Sequence, residues 1–135
     1  MPDSMDDLLK LARAMMVRAY APYSKFHVGA AVRDEEGGLH GGCNVENAAH
    51  PEGMCAEAGA IAALVAAGRK RVLECVVIGP GPEPITPCGG CRQKLREFAD
   101  DGVKVHLCGP DGLHRTVTVG ELFPMSFGPQ HLSKG

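Results

Sequence analysis

The sequence predicts one α/β domain, a mixed sheet of about five strands layered between helices in an α/β/α arrangement. Segments of helical spacing and segments of strand-like composition follow one another in the order α-β-β-α-β-α-β-β, which suits a mixed sheet covered on both faces. No repeat, low-complexity tract or interdomain linker interrupts that order. The 135 residues suit a single domain spanning 1–135, with a real core, and are too few for two ordinary ones.

Each element has its own signal. Ser4 followed by DDLLKLARAMMVRAY predicts a capped amphipathic helix, with Leu8, Leu11, Met15 and Ala19 at helical spacing and acids in the first turn. Pro22 is expected to stop it. FHVGAAVR then reads as a strand, DEEGG as a turn and LHGGCNV as the hairpin partner. After the loop ENAAHPEG, a second helix is expected from Cys55 to Ala67, closed by Gly68. VLECVVIG has the apolar continuity of a strand buried on both faces. The Pro/Gly-rich PGPEPITPCGG is a loop, and CRQKLREFAD a third helix ended by Asp101 and Gly102. VKVHLCG and HRTVTV form two more strands around GPDG, followed by a helical turn near Glu121 and the tail ELFPMSFGPQHL.

Composition narrows the function classes. A formal net charge of −2 and a pI of about 6.3 advertise no basic surface for nucleic acid or an acidic membrane. Aromatic residues make up 4% of the chain and Trp is absent, so platforms for stacking bases are scarce. The first residues, MPDSMDDLLK, carry acids where a secretory signal has a basic start and an apolar run. The longest uncharged apolar run, 58 to 68, falls well short of the roughly 20 residues of a membrane span. A cytoplasmic protein is expected, and in that setting six cysteines point to metal binding or burial before disulfides.

The chemistry-bearing residues cluster at two expected helix starts. Cys55 begins one helix, and Cys88 and Cys91, in C-G-G-C, begin another. Free N–H groups and the positive end of the helix dipole favour thiolate there. The intervening glycines let the backbone fold tightly enough for both sulfurs to face one ion. Three thiolates suit zinc and leave a fourth position open for water, as catalytic zinc sites do. Glu57 is the only charged residue in MCAEAGAIAALVAAG. An isolated buried carboxylate is costly and is pushed toward its protonated form. One short step from the metal, that is a useful condition for a proton shuttle.

C-A-E at 55 to 57, with P-C-G-G-C at 87 to 91, resembles the zinc-dependent cytidine deaminase family. SKFHVGAAV, GCNVENAA, CGGCRQKLREF and ELFPMSFGP extend the resemblance to the small homotetrameric members over nearly the whole chain. The resemblance implies that Cys55, Cys88 and Cys91 hold one Zn²⁺ per chain. It implies hydrolytic deamination of cytidine and deoxycytidine at C4, in pyrimidine salvage, with Glu57 protonating ring N3 and then the departing ammonia. Phe26 is expected to line the base pocket, Asn44 and Glu46 to hydrogen-bond the ribose, and the Ala56 backbone to meet the base edge. Phe127 is expected to stack on the pyrimidine of a neighbouring subunit in a homotetramer with shared active sites.

Two positions depart from the family pattern. Many members read C-A-E-R, where this chain has Ala58, so the net −1 of three thiolates on Zn²⁺ lacks that arginine. His50 stands where relatives often carry a tyrosine near the sugar's 5′ end.

Elsewhere, Cys43, Cys75 and Cys108 are expected as buried small hydrophobes. His27, His40, His106 and His114 are expected to face solvent, and Met15 and Met16 to pack in the core. Three other readings have their own requirements. A deaminase for another aminopyrimidine nucleoside, such as blasticidin S, shares the chemistry. A polynucleotide editor needs a basic groove that the charge does not supply. A structural zinc module needs a fourth protein ligand, for which Cys43 is the nearest candidate by sequence.

Overall fold

In a computed structural model, residues 4–132 are described. Helix α1 (Ser4–Val17) leads to the hairpin of β1 (Gly29–Asp34) and β2 (Leu39–Cys43), then α2 (Ala56–Ala66) and β3 (Val72–Ile78). Helix α3 (Gly89–Phe98), the strands β4 (Lys104–Gly109) and β5 (Gly112–Thr118), and the short α4 (Val119–Leu122) complete the order. The five strands form one sheet in the order β2-β1-β3-β4-β5. The β3–β4 pair is parallel and the other pairs are antiparallel, so the sheet is mixed as expected.

Strand alternation sends side chains into two cores. On one face Ala31, Val76, Ile78 and Cys108 meet Leu8 and Ala12 of α1. On the other, Val32, Cys75, Val77, Val105 and Leu107 meet Ile61 and Leu64 of α2 and Leu95 of α3. Both helices that carry the candidate metal ligands therefore lie on the same face, opposite α1.

Two glycines set how closely these layers approach. A Cβ on Gly42 would lie 2.4 Å from the Ala60 nitrogen and 2.5 Å from the Ala56 oxygen, so β2 sits directly against the α2 backbone. A Cβ on Gly29 would lie 2.0 Å from the Ala12 oxygen, the equivalent contact with α1 on the other face.

Several expectations need correction. Helix α1 ends at Val17, well before Pro22, and Tyr20 already pairs with Val45 in an isolated bridge. What caps its start lies outside the described residues. Phe26–Val28 is a loop, because the Asn44 side chain takes the Val28 N–H and the Phe26 carbonyl. The short 3-10 turns at His50–Glu52 and Pro129–His131 were not signalled. The four histidines expected to face solvent do not do so freely. His106 is 7% exposed, its ring nitrogens 2.7 Å from Glu74 Oε2 and 2.8 Å from Thr116 Oγ1. His40 Nε2 lies 2.6 Å from the buried Asp34 carboxylate, and His114 Nε2 2.8 Å from Asp111. His27 is half-buried. Cys75 and Cys108 are buried as expected, whereas Cys43 is half-buried. Partial cover for Met15 and Met16 comes from α1 lying across the sheet.

Candidate active site

Both segments that carry candidate metal ligands place a cysteine at a helix cap. Cys55 is the N-cap of α2 and Cys88 the N-cap of α3, both with extended backbone and neither using its side chain to cap. Their sulfurs are thus free to turn away from the helix ends. Cys91 lies in the first turn of α3 and is buried. Across 33 residues of chain, Cys55 Sγ and Cys88 Sγ come within 3.7 Å, and all three sulfurs lie within 4.8 Å of one another. A zinc ion with bonds near 2.3 Å holds tetrahedral sulfurs about 3.8 Å apart. The donor set fits zinc in kind and in spacing. Cys43 is not part of this cluster, which among the described residues comprises three cysteines.

Glu57, in the first turn of α2, is 4% exposed, and the Cys91 thiol approaches its Oε1 at 3.6 Å. Burial pushes its carboxyl above the usual range, with the Cys91 contact and the Lys94 charge offsetting part of the effect. Burial likewise raises the Cys91 thiol, and the nearby Glu57 and Cys55 add to the rise. Cys55 and Cys88 move apart. Burial and the Cys88 contact raise Cys55. Burial also raises Cys88, but hydrogen bonding from the Cys91 backbone and the neighbouring thiols outweighs it and brings Cys88 below the ordinary thiol value.

Cys55, Ala56, Glu57 and Cys88 line a cavity of about 980 Å³. Phe26, Asn44 and Glu46 line it as well, so four of the five expected substrate residues are brought to the ligands. The fifth is not. Phe127 lies outside the cavity, 54% exposed and stacked on His131 with ring centroids 5.1 Å apart.

Asn44 and Glu46, which the sequence also allowed as turn residues capping a hairpin, do hold loop backbone, though of the Tyr23–Val28 stretch. Asn44 Nδ2 donates to the Phe26 carbonyl at 2.8 Å, and its Oδ1 accepts from the Val28 N–H at 2.9 Å. Glu46 accepts from the backbone N–H groups of Tyr23 and Ser24 at 3.0 and 3.1 Å, and from the Ser24 hydroxyl. That hydroxyl contact, ahead of the backbone bonds, holds the Glu46 carboxyl below its usual range against the opposing pull of burial. Together they fix the loop that presents Phe26, including Lys25 at a φ of 62°. Each keeps spare capacity for a ligand, the second amide N–H of Asn44 and the remaining lone pairs of Glu46.

A family model, the cytidine and deoxycytidylate deaminase zinc-binding region, matches residues 2–107. The chain belongs to this family. It is 36% identical over 129 residues to a cytidine deaminase of Sporosarcina psychrophila, covering 96% of this chain and 95% of that one. A cytidine deaminase of Halalkalibacterium halodurans is 35% identical, with 96% and 99% covered. Among solved structures, a cytidine deaminase of Burkholderia pseudomallei superposes with a TM-score of 0.85 at 39% identity, covering 90% of this chain and 98% of that chain.

Sequence reasoning also missed part of this deaminase's cavity. Tyr23, Met54, Ile85 and Thr86 contribute to the wall. Tyr23 and Thr86 sit in loops with no periodicity, so only the tertiary fold reveals them. His50, singled out from the sequence, does line the cavity.

Proposed function

We propose that the chain is a single catalytic domain that deaminates cytidine and deoxycytidine to uridine and deoxyuridine with release of ammonia. The observation that carries this reading is the convergence of three thiols and a buried Glu57 at a cavity with ample room for a nucleoside. Zinc, held by Cys55, Cys88 and Cys91, supplies Lewis-acid activation of water when bound. Glu57, buried beside the Cys91 sulfur with its carboxyl raised above the usual range by burial, passes one proton of the attacking water to ring N3 and later carries the water's second proton to the amino nitrogen as it leaves. Phe26 packs on the base, and the Ala56 backbone meets the base edge. Asn44 and Glu46 take the ribose hydroxyls with the capacity their loop bonds leave free.

The same reading assigns Phe127 to a neighbour's pocket in a homotetramer. Its support is the exposure of Phe127, with Met125, Met54 and Val45 also exposed, leaving apolar surface that a partner would cover. No helix of the described residues is long and apolar enough to cross a membrane. Six free cysteines agree with the reducing, cytoplasmic setting of this reading.

Ultraviolet assay of the purified protein against cytidine, deoxycytidine, cytosine and blasticidin S tests the substrate. Turnover of the two nucleosides, lost to a chelator and restored by zinc, is the expected result. Normal turnover by metal-free protein would sink the zinc reading.

A further inference from the structure

Between the end of β3 and the start of α3 the chain runs through PGPEPITPC without a regular element, yet this stretch forms a cavity wall and delivers a metal ligand. Its prolines supply no N–H with which to fix themselves. One side chain does the fixing. Arg92 Nε donates to the Pro87 carbonyl at 2.8 Å, and one terminal nitrogen donates to Thr86 Oγ1 at 3.0 Å. Its other terminal nitrogen donates to the Leu122 carbonyl at 2.8 Å, and its backbone N–H reaches the Cys88 carbonyl at 2.9 Å. Through its side chain Arg92 thus holds residues 86 and 87, immediately before Cys88, and joins them to the end of α4; its backbone bond to Cys88 is the ordinary first-turn bond of α3. Next to it, Gln93 Nε2 donates to the Phe127 carbonyl at 2.9 Å, securing the far end of the same tail.

We infer that Arg92 is a positioning residue for the deaminase: its guanidinium fork sets the Thr86 wall of the nucleoside cavity and the aim of the Cys88 sulfur. This rests on the zinc-deaminase reading given above. The acceptors lie in three directions, a pattern the planar fork matches and a lysine ammonium on a flexible stem does not. Charge is not the essential quality, since all three side-chain acceptors are neutral. Groups that orient metal ligands typically change metal affinity or activity about 10- to 100-fold when removed. A staple that served stability alone would leave zinc retention and KM untouched in whatever protein remains folded.

The test uses the full-length, zinc-loaded protein and three variants: Arg92→Lys, Thr86→Val, and Arg96→Lys as a control. Arg96 is on the same helix and donates to the Ala99 carbonyl at 3.2 Å, away from the cavity. Zinc transfer to a chromophoric chelator and KM for cytidine are measured on each. Arg92→Lys should lose zinc roughly tenfold faster and raise KM by a similar factor, beyond any change in Arg96→Lys. Thr86→Val removes one of the three bonds donated by the guanidinium, so KM should rise at least about threefold with zinc loss unchanged. Folded Arg92→Lys with zinc loss and KM within about twofold of wild type overturns the assignment. If Arg92→Lys does not fold, Thr86→Val decides: an unchanged KM overturns it and a raised KM supports it. A wild-type protein that neither holds zinc nor deaminates cytidine defeats the underlying reading and this inference with it. An active wild type with indifferent variants defeats this inference alone.

Discussion

Replacing Gly42 with alanine should damage the metal site from a position that never touches it. The added Cβ would lie 2.4 Å from the Ala60 nitrogen and 2.5 Å from the Ala56 oxygen, where ordinary contact begins at 3.4 Å. Both neighbours are backbone, so neither can swing away, and α2 must retreat from β2 by about 1 Å. Overpacking of this kind typically costs about 1–3 kcal/mol. Because α2 carries Glu57 and follows directly on Cys55, the same retreat moves a proposed zinc ligand and the proposed proton carrier. A misplacement of about 1 Å can lower turnover on the order of 10²-fold. Gly29→Ala provides the contrast. Its Cβ would lie 2.0 Å from the Ala12 oxygen, a worse clash, but with α1 on the opposite face. Urea unfolding, zinc content and kcat should be measured on both. Both variants should be destabilised, with zinc and kcat falling far more in Gly42→Ala. Wild-type stability of Gly42→Ala would refute the packing argument, and equal loss of kcat in both would refute the division of labour between the faces.

Glu57→Gln should keep fold and zinc while kcat falls about 10²–10⁴-fold, since the amide keeps the shape without moving protons; near-normal kcat counts against the assigned role. Phe127→Ala should raise KM without releasing zinc. Reassembling it with Glu57→Gln should restore some activity through hybrid sites, and no recovery in verified mixed tetramers would end the shared-site proposal. Asp34 has its carboxyl lowered from 3.8 to about 2, chiefly by the His40 hydrogen bond, with burial opposing. Because the folded value is the lower one, its stabilisation is full above about pH 3.8 and is lost as pH falls through about 2. The stability gap between wild type and Asp34→Asn should therefore narrow across that window in urea titrations, and a constant gap would contradict the assignment.

The metal site was legible because its information is local. Two residues separate Cys88 from Cys91, one separates Cys55 from Glu57, and each set sits where loop signals give way to helix signals. The sheet was legible for a similar reason, from runs such as VLECVVIG. The histidines were not. Alternation tells which face His106 occupies, but not that Glu74 and Thr116 on neighbouring strands await it. Asn44 and Glu46 looked like ligand contacts, and their grip on the Phe26 loop depends on a chain reversal over about 20 residues that spacing does not encode. Arg92 reads as one more charge on an amphipathic helix until the fold brings Thr86, Pro87 and Leu122 around it.

The grip of Asn44 and Glu46 on the Phe26 loop has a consequence for discrimination between nucleoside and free base. Under the proposed ribose contacts, the two side chains that meet the sugar are the ones that set the aromatic facing the base. Sugar and base are then read by one mechanical unit. Binding energy from a part of the substrate that does not react can be used to settle the part that does, so that truncated substrates lose turnover as well as affinity. Free cytosine would forfeit the hydrogen bonds of its missing ribose, and with them the added restraint that a bound sugar places on the two side chains already holding the Phe26 loop.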